Sequence, residues 1–368
     1  MTRLLATLVV LCAACGGAGP PSDMVRLALN WFPESEHGGY FAALVDGGYA
    51  ARGITIEILP GGPGVPVAPR VASGEVDFGV VNADDVVAAR AAGLPVVALL
   101  APIHRSPWCV MVHAASGITG LGDLRDVTLA MQAGTPYLAW LERHVPLEGV
   151  QVVPYTGSIA AFLASDRYAQ QAYVFSEPIV ATARGAAVRC LAIADTGFDP
   201  YASVLVTSER MLRERRDVAR AVTEASAHGW ARFVADPSPA NVEILRRNPE
   251  IGDDALARGA EAIRPLVQDE ATRRDGIGSM RTERWATLVG QMRDLGLLEM
   301  PLDPSSVFVD DRLTDRTSAG TADRAGRTSR CSTRAHSPRT PCPPARTSTR
   351  IHRGRTLRRP PGACSEHT

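Results

Sequence analysis

The sequence predicts an α/β protein with largely parallel sheets, completed by helices. Three observations predict it. From residue 25 to about 207, short β-rich runs alternate with polar or glycine-containing turns and helical stretches, the rhythm of strand–helix–strand units. From 208 onward the strand patterns stop, and 216–235, 240–247, 253–266 and 281–295 read as helices. The 368 residues, 45% of them hydrophobic, are enough for one large two-lobed domain or two ordinary ones.

The elements follow in order. The run VRLALNW alternates Val25, Leu27, Leu29 and Trp31, and a helix after it stops at GGYAARG, where Gly53 suits a C-cap. ITIEIL alternates again; a Gly/Pro-rich loop at 60–66, a helix near 67–73 and the strand VDFGVV come next. NADDVVAARAAG reads as a helix with Asn82 near its cap, and PVVALLA as a strand. A second set repeats the pattern: CVMVH, VTLAMQ with TPYLAWLERH, VQVVPY with SIAAFLAS, AYVFS with EPIVATARG, then VRCLAIA and SVLVTS.

In open α/β sheets ligands bind beyond the carboxyl ends of the strands, beside helix N-termini. This chain puts Asn30, Trp31 and His37 there after its first strand, with Gly38 and Gly39 to let backbone approach a ligand. Asn82 and Asp84 follow, then Gln132, Thr135 and Tyr137, Tyr155 and Ser158, and finally Ser176 and Glu177 ahead of Pro178. A polar and aromatic set of this kind grips a small molecule. No nucleophile elbow, H-E-x-x-H, phosphate loop or calcium loop is present, so no catalytic residue, metal site or cofactor is expected.

Individual residues keep alternatives. His37 reads as an imidazole at the cleft rim, as part of a solvated helix start, or as a metal ligand with Glu34 and Glu36. Trp31 suits the cleft better than the core, whereas Tyr173, inside a strand, suits the core. Glu177 before Pro178 is a good helix start in itself and an acceptor for ligand N–H groups. With Glu177 and Asp84 in the cleft and no arginine nearer than Arg105, a neutral or cationic nitrogen heterocycle or an amine fits better than a small anion.

The stretches LNWFPESEHGGYFAALVDGGYAARGITIEILPGGPG and VASGEVDFGVVNADDVVAARAAGLPVVALLA resemble the thiamine-pyrimidine-precursor-like branch of ABC-transporter substrate-binding proteins. These are relatives of the nitrate, sulfonate and taurine binders, with a motif near L-x-W-x-P-x-x-x-H-x-G. SGITGLGDLRDVTLAM, QQAYVFSEP and GFDPYASVLVTS extend the resemblance over about 25–300. It implies a type II periplasmic-binding-protein-like fold that closes on a hinge. Its first lobe would span 25–105 and 207–313, and its second 106–206. It further implies a monomer that hands a pyrimidine-like ligand, or alternatively a sulfonate, taurine or nitrate, to permease and ATPase subunits. Enzymes share the architecture, among them a pyrimidine synthase with a dense cysteine cluster; SPWCVMV, the nearest stretch here, has one cysteine.

The termini differ from the body. Arg3 and the apolar LLATLVVLCAAC, ending at Ala13-Ala14-Cys15, read as a lipoprotein signal over 1–15, with Cys15 lipidated and 16–24 a flexible tether. That reading places the protein outside the cytoplasm and anchored to a membrane, with simple secretion as the alternative. Residues 314–368 hold twelve arginines against three acids, a net +9, with one Leu and one Ile, and are expected to be disordered. The remainder, with 27 arginines against 36 acids, carries −9, which argues against nucleic-acid binding. Cys109 and Cys190, in apolar runs, read as buried free thiols, with pairing open to an exported chain.

Overall fold

A computed structural model describes residues 24–309. The expected signal segment with Cys15, nearly all of the tether and the tail from 314 lie outside the described residues.

Among the described residues ten strands form two five-stranded sheets. The strands are β1 (Met24–Ala28), β2 (Thr55–Leu59), β3 (Phe78–Val81), β4 (Val96–Leu100), β5 (Trp108–His113), β6 (Thr128–Met131), β7 (Gln151–Pro154), β8 (Tyr168–Tyr173), β9 (Val188–Ala192) and β10 (Val204–Ser208). The first sheet has the order β2-β1-β3-β10-β4 and the second β7-β6-β8-β5-β9. In each, the fourth strand runs antiparallel to both of its neighbours, and the first three run parallel. The two sheets are thus one plan built twice. In both, the antiparallel strand belongs to a crossing between sheets: the chain enters the second sheet on β5 and returns to the first on β10.

Twelve α-helices complete the described residues: α1 (Gly38–Val45), α2 (Val67–Ser73), α3 (Ala83–Ala91), α4 (Pro136–His144), α5 (Ala160–Ala164), α6 (Glu177–Ala183), α7 (Glu209–Glu214), α8 (Arg216–Ala235), α9 (Ser238–Arg247), α10 (Asp253–Val267), α11 (Glu270–Asp275) and α12 (Thr282–Asp294). Parallel strands need such crossover helices. The α3 start follows the sequence closely: Asn82 is its N-cap residue, and the Asp85 carboxylate three positions on accepts from Asn82 N–H at 3.1 Å. Gly53 takes the left-handed C-cap conformation (φ 73°) that a Cβ would strain.

α8 lies against α1 with Trp230 edge-on to Tyr40, ring centroids 5.8 Å apart, and both side chains fully buried. Glycine makes this approach possible. A Cβ on Gly38 would meet the Phe233 ring at 2.2 Å, and one on Gly39 the Trp230 ring at 2.1 Å. The expectation that these glycines bring backbone to a ligand is therefore corrected: the Gly38 and Gly39 surfaces are covered by α8.

The two crossings meet each other. Ile103 and Ala202 form an antiparallel bridge, with Ala202 N–H donating to Ile103 O at 3.0 Å. The Arg284 guanidinium donates to Asp199 O at 2.7 Å and to His104 O, and lies 4.2 Å from the centre of the Tyr201 ring. Arg105 pairs with Asp195 across the same crossings. Cys109 and Cys190, on adjacent β5 and β9, are joined as a disulfide with Cα atoms 5.5 Å apart, so the reading as free thiols is corrected.

Candidate functional site

A cavity of about 570 Å³ opens between the sheets. Its walls come from the segments after the carboxyl ends of β1, β2, β3, β6, β7 and β8, so the plan of the fold delivers polar side chains to one place. Asn30, Trp31, Asn82 and Asp84 line it from the first sheet, and Gln132, Thr135, Tyr137, Tyr155 and Glu177 from the second.

The second-sheet wall is hydrogen-bonded within itself. Tyr155 Oη–H donates to Glu177 Oε1 at 2.6 Å, and Tyr173 N–H donates to Glu177 Oε2 at 2.8 Å. Burial raises the Glu177 carboxyl above its usual range, while these two donors pull it back. Because the phenol of Tyr155 spends its proton on Glu177, it offers an incoming group only its lone pairs. Gln171 Oε1 accepts from Gln132 N–H at 2.6 Å and from Tyr137 Oη–H at 3.1 Å. That leaves the amide nitrogen of Gln171 as its donor end.

The first-sheet wall is less complete. Asn82 Nδ2 donates to Tyr173 Oη at 2.9 Å, crossing the cleft, but Asn82 Oδ1 has no partner. Asp84 is 5% exposed, and its Oδ1 is likewise unpartnered. Burial, with Asp85 beside it, pushes the Asp84 carboxyl up to about 8, against the pull of the first amides of α3. Trp31 is half-buried and faces Gly157 across the cleft, where a Cβ would lie 3.9 Å from the indole.

Three expected site residues fall off this wall. His37 is fully buried: Glu34 N–H donates to its Nδ1 at 3.3 Å, so its Nε2–H faces Asn30 Oδ1 at 2.9 Å. Glu36 Oε1 lies 3.0 Å from the same nitrogen. The imidazole thus fixes Asn30 from behind, leaving the amide NH₂ of Asn30 for the cavity. Gly38 lies under Phe233, as above. Ser176 donates to Glu34 Oε2 at 2.8 Å, a bond from one lobe to the other behind the cavity. Among the described residues no group of three or more His, Cys, Asp or Glu is placed to hold a metal ion, the His37 cluster included.

Other lining residues were not expected on the cleft wall. Glu34, 6% exposed, lines the cavity, and burial with Glu36 and Glu177 nearby holds its carboxyl well above the usual range. Trp108 begins β5, pairs with Tyr173 on β8, and stacks on Tyr137 with ring centroids 4.2 Å apart. Tyr173 is both core and wall: 9% exposed, yet lining the cavity through the hydroxyl end. Gln171 lies two residues before it on the same face of β8. The alternation of QQAYV could have pointed to this pair, since Gln171 and Tyr173 share one side of the strand.

Residues 34–240, more than half the chain, match the family described as NMT1/THI5 like. The chain belongs to the NMT1/THI5-like family. This NMT1/THI5-like protein is 27% identical over 316 residues to the riboflavin-binding protein RibY of Chloroflexus aurantiacus, covering 81% of this chain and 88% of that protein. It is 24% identical over 297 residues to a formylaminopyrimidine-binding protein of Halalkalibacterium halodurans, covering 78% and 89% respectively. Its fold matches the periplasmic aliphatic sulphonate binding protein SsuA of Escherichia coli with a TM-score of 0.62 at 14% identity, over 77% of this chain and 91% of that one. The fold is that of the periplasmic binding proteins, as the sequence predicts.

Proposed function

We propose that this protein is the extracytoplasmic substrate-binding component of an ABC importer, and that its cleft takes a nitrogen heterocycle bearing N–H groups. The single observation that carries the ligand class is that the wall holds acidic side chains and no cationic one. Glu34, Asp84, Asp85 and Glu177 line the cavity, and no arginine or histidine does so among the described residues. An anion brought there would leave water for a low-dielectric site with acidic groups and no compensating cation.

Tyr155 Oη, Asn82 Oδ1 and the Asp84 carboxyl stand on the wall as acceptors, and acceptors call for N–H or O–H donors on the ligand. The half-buried Trp31 supplies a ring face for a flat heterocycle. The relatives whose names specify riboflavin and formylaminopyrimidine support this class, since both ligands are nitrogen heterocycles. A disulfide between Cys109 and Cys190 suits an oxidising compartment, in keeping with an exported chain tethered through Cys15. Permease and ATPase subunits would be the partners, and the receptor would act as a monomer that releases its ligand unchanged.

Isothermal calorimetry on the purified protein tests the reading, with riboflavin, formylaminopyrimidine, thiamine, taurine and nitrate as titrants. A heterocycle should bind at one per chain and be recovered intact by mass spectrometry. Binding of taurine or nitrate in its place would overturn the ligand class, and chemical conversion of a bound heterocycle would favour an enzyme.

A further inference from the structure

At the start of α3 the cleft ends in polar atoms without a protein partner. Asp84 Oδ1 and Asn82 Oδ1 are both bare, on side chains only 5% and 8% exposed. Across the cleft the Trp108 indole Nε1–H is buried and has no acceptor. Unpaired buried groups are costly, and native chains keep few of them without a reason. All three lie on the cavity wall around one aromatic patch. Trp108 stacks on Tyr137 and stands edge-on to Tyr173, 4.3 Å between centroids, and the charge of Asp84 is felt at both tyrosine hydroxyls.

This patch is poorly suited to stacking a ligand ring, because Tyr137 already covers a face of Trp108. Ring stacking falls to Trp31, near Gly157 and Tyr155. What the patch lacks is two donors, for Asp84 and Asn82, and one acceptor, for Trp108. Ammonium groups only donate; hydroxyl groups do both.

We infer that the cleft reads a two-ended ligand, with a flat heterocycle against Trp31 and a hydroxylated substituent seated among Asp84, Asn82 and Trp108. The inference rests on the proposed function and narrows it. A largely protonated Asp84 near neutral pH fits the same picture, since a neutral carboxyl group both donates to and accepts from a hydroxyl.

Two matched ligand pairs test it by calorimetry: riboflavin against lumiflavin, which has a methyl group in place of the hydroxylated chain, and 4-amino-5-hydroxymethyl-2-methylpyrimidine against its 5-methyl analogue. In at least one pair the hydroxylated member should bind about tenfold tighter. Asp84→Ala should bring that ratio close to one, and Trp108→Phe, which keeps the ring and removes only the Nε1–H, should lower it severalfold. Circular dichroism checks that each variant is folded, and Trp108→Phe carries the test alone if Asp84→Ala is not. No hydroxyl preference in either pair, or a preference that survives in the folded variants, would overturn the inference while leaving a heterocycle receptor standing. A cleft that takes none of the four, or that prefers taurine or nitrate, would remove the proposed function and the inference with it.

Discussion

The two walls of the cleft carry similar residues and treat them differently. On the second-sheet side, Glu177 has a partner for each carboxylate oxygen, and Gln171 Oε1 has two donors. On the first-sheet side, Asp84 and Asn82 each keep an oxygen bare. Both acids sit in the first turn of a helix, where the dipole favours a carboxylate. Position in the helix therefore does not separate them. The supply of donors does: at Glu177 a tyrosine hydroxyl and a strand amide reach the carboxylate, whereas Asp84 relies on the first amides of its own helix. One wall is largely preset, with Trp108 Nε1–H left without an acceptor, and the other keeps two bare oxygens that only a ligand completes.

The largest test of this contrast is the pH dependence of stability. Folding raises the Asp84 pKa from its ordinary 3.8 to about 8. Between those values the native state holds a proton that the unfolded chain has lost, so the Asp84 contribution falls as pH rises. The slope is at most about 1.4 kcal/mol per pH unit, and the loss is complete above about pH 8. Asp84→Asn should remove this slope, making the variant more stable than the parent by a few kcal/mol at pH 8 and close to it near pH 4. Urea unfolding across that range measures the difference, and parallel curves for the two proteins would show that Asp84 has partners the geometry does not display.

Next in size is the disulfide of the second lobe. Cys109→Ala with Cys190→Ala should cost about 2–4 kcal/mol, read as a drop in the urea midpoint. Near-equal midpoints would mean that the β5–β9 pairing holds the second sheet unaided.

Glu177→Gln strikes the satisfied wall. The amide keeps one oxygen and turns an NH₂ toward either the Tyr155 hydroxyl or the Tyr173 N–H, and binding of a heterocycle should weaken roughly ten- to a hundredfold, as for a charge-assisted bond worth about 1.5–3 kcal/mol. The sign is decisive, since an anionic ligand would bind tighter. Tyr137→Phe is the smallest change: Gln171 Oε1 keeps its 2.6 Å bond from Gln132 N–H, and ring stacking on Trp108 survives. Loss of the hydroxyl should cost about 0.5–1.5 kcal/mol of stability. A much larger loss in thermal or urea unfolding would place Tyr137 at the centre of the wall.

The helix starts were legible because capping is local: the bond from Asn82 N–H to Asp85 and the Glu177-Pro178 step involve neighbours in sequence. The glycine pair was misread for the opposite reason. Gly38 and Gly39 meet Phe233 and Trp230, nearly two hundred residues away, and no local pattern announces that contact. His37 was placed on the right loop but the wrong side of it, since a loop sequence does not say which side chain turns outward. Ser176 turned toward Glu34 on the other lobe, and Cys109 found Cys190 on a neighbouring strand, both through contacts between distant segments.

By itself the sequence determined the alternation of strands and helices, the helix starts, and an acidic, aromatic set of residues after the strands. Each of these follows from periodicity, backbone preference or composition over a few neighbouring positions. Only the tertiary structure decided which of those residues share a cavity, which carboxylates find donors, and that one oxygen of Asp84 does not. Those outcomes depend on the pairing of segments far apart in the chain, where burial sets the cost of every polar group and geometry alone supplies its partner.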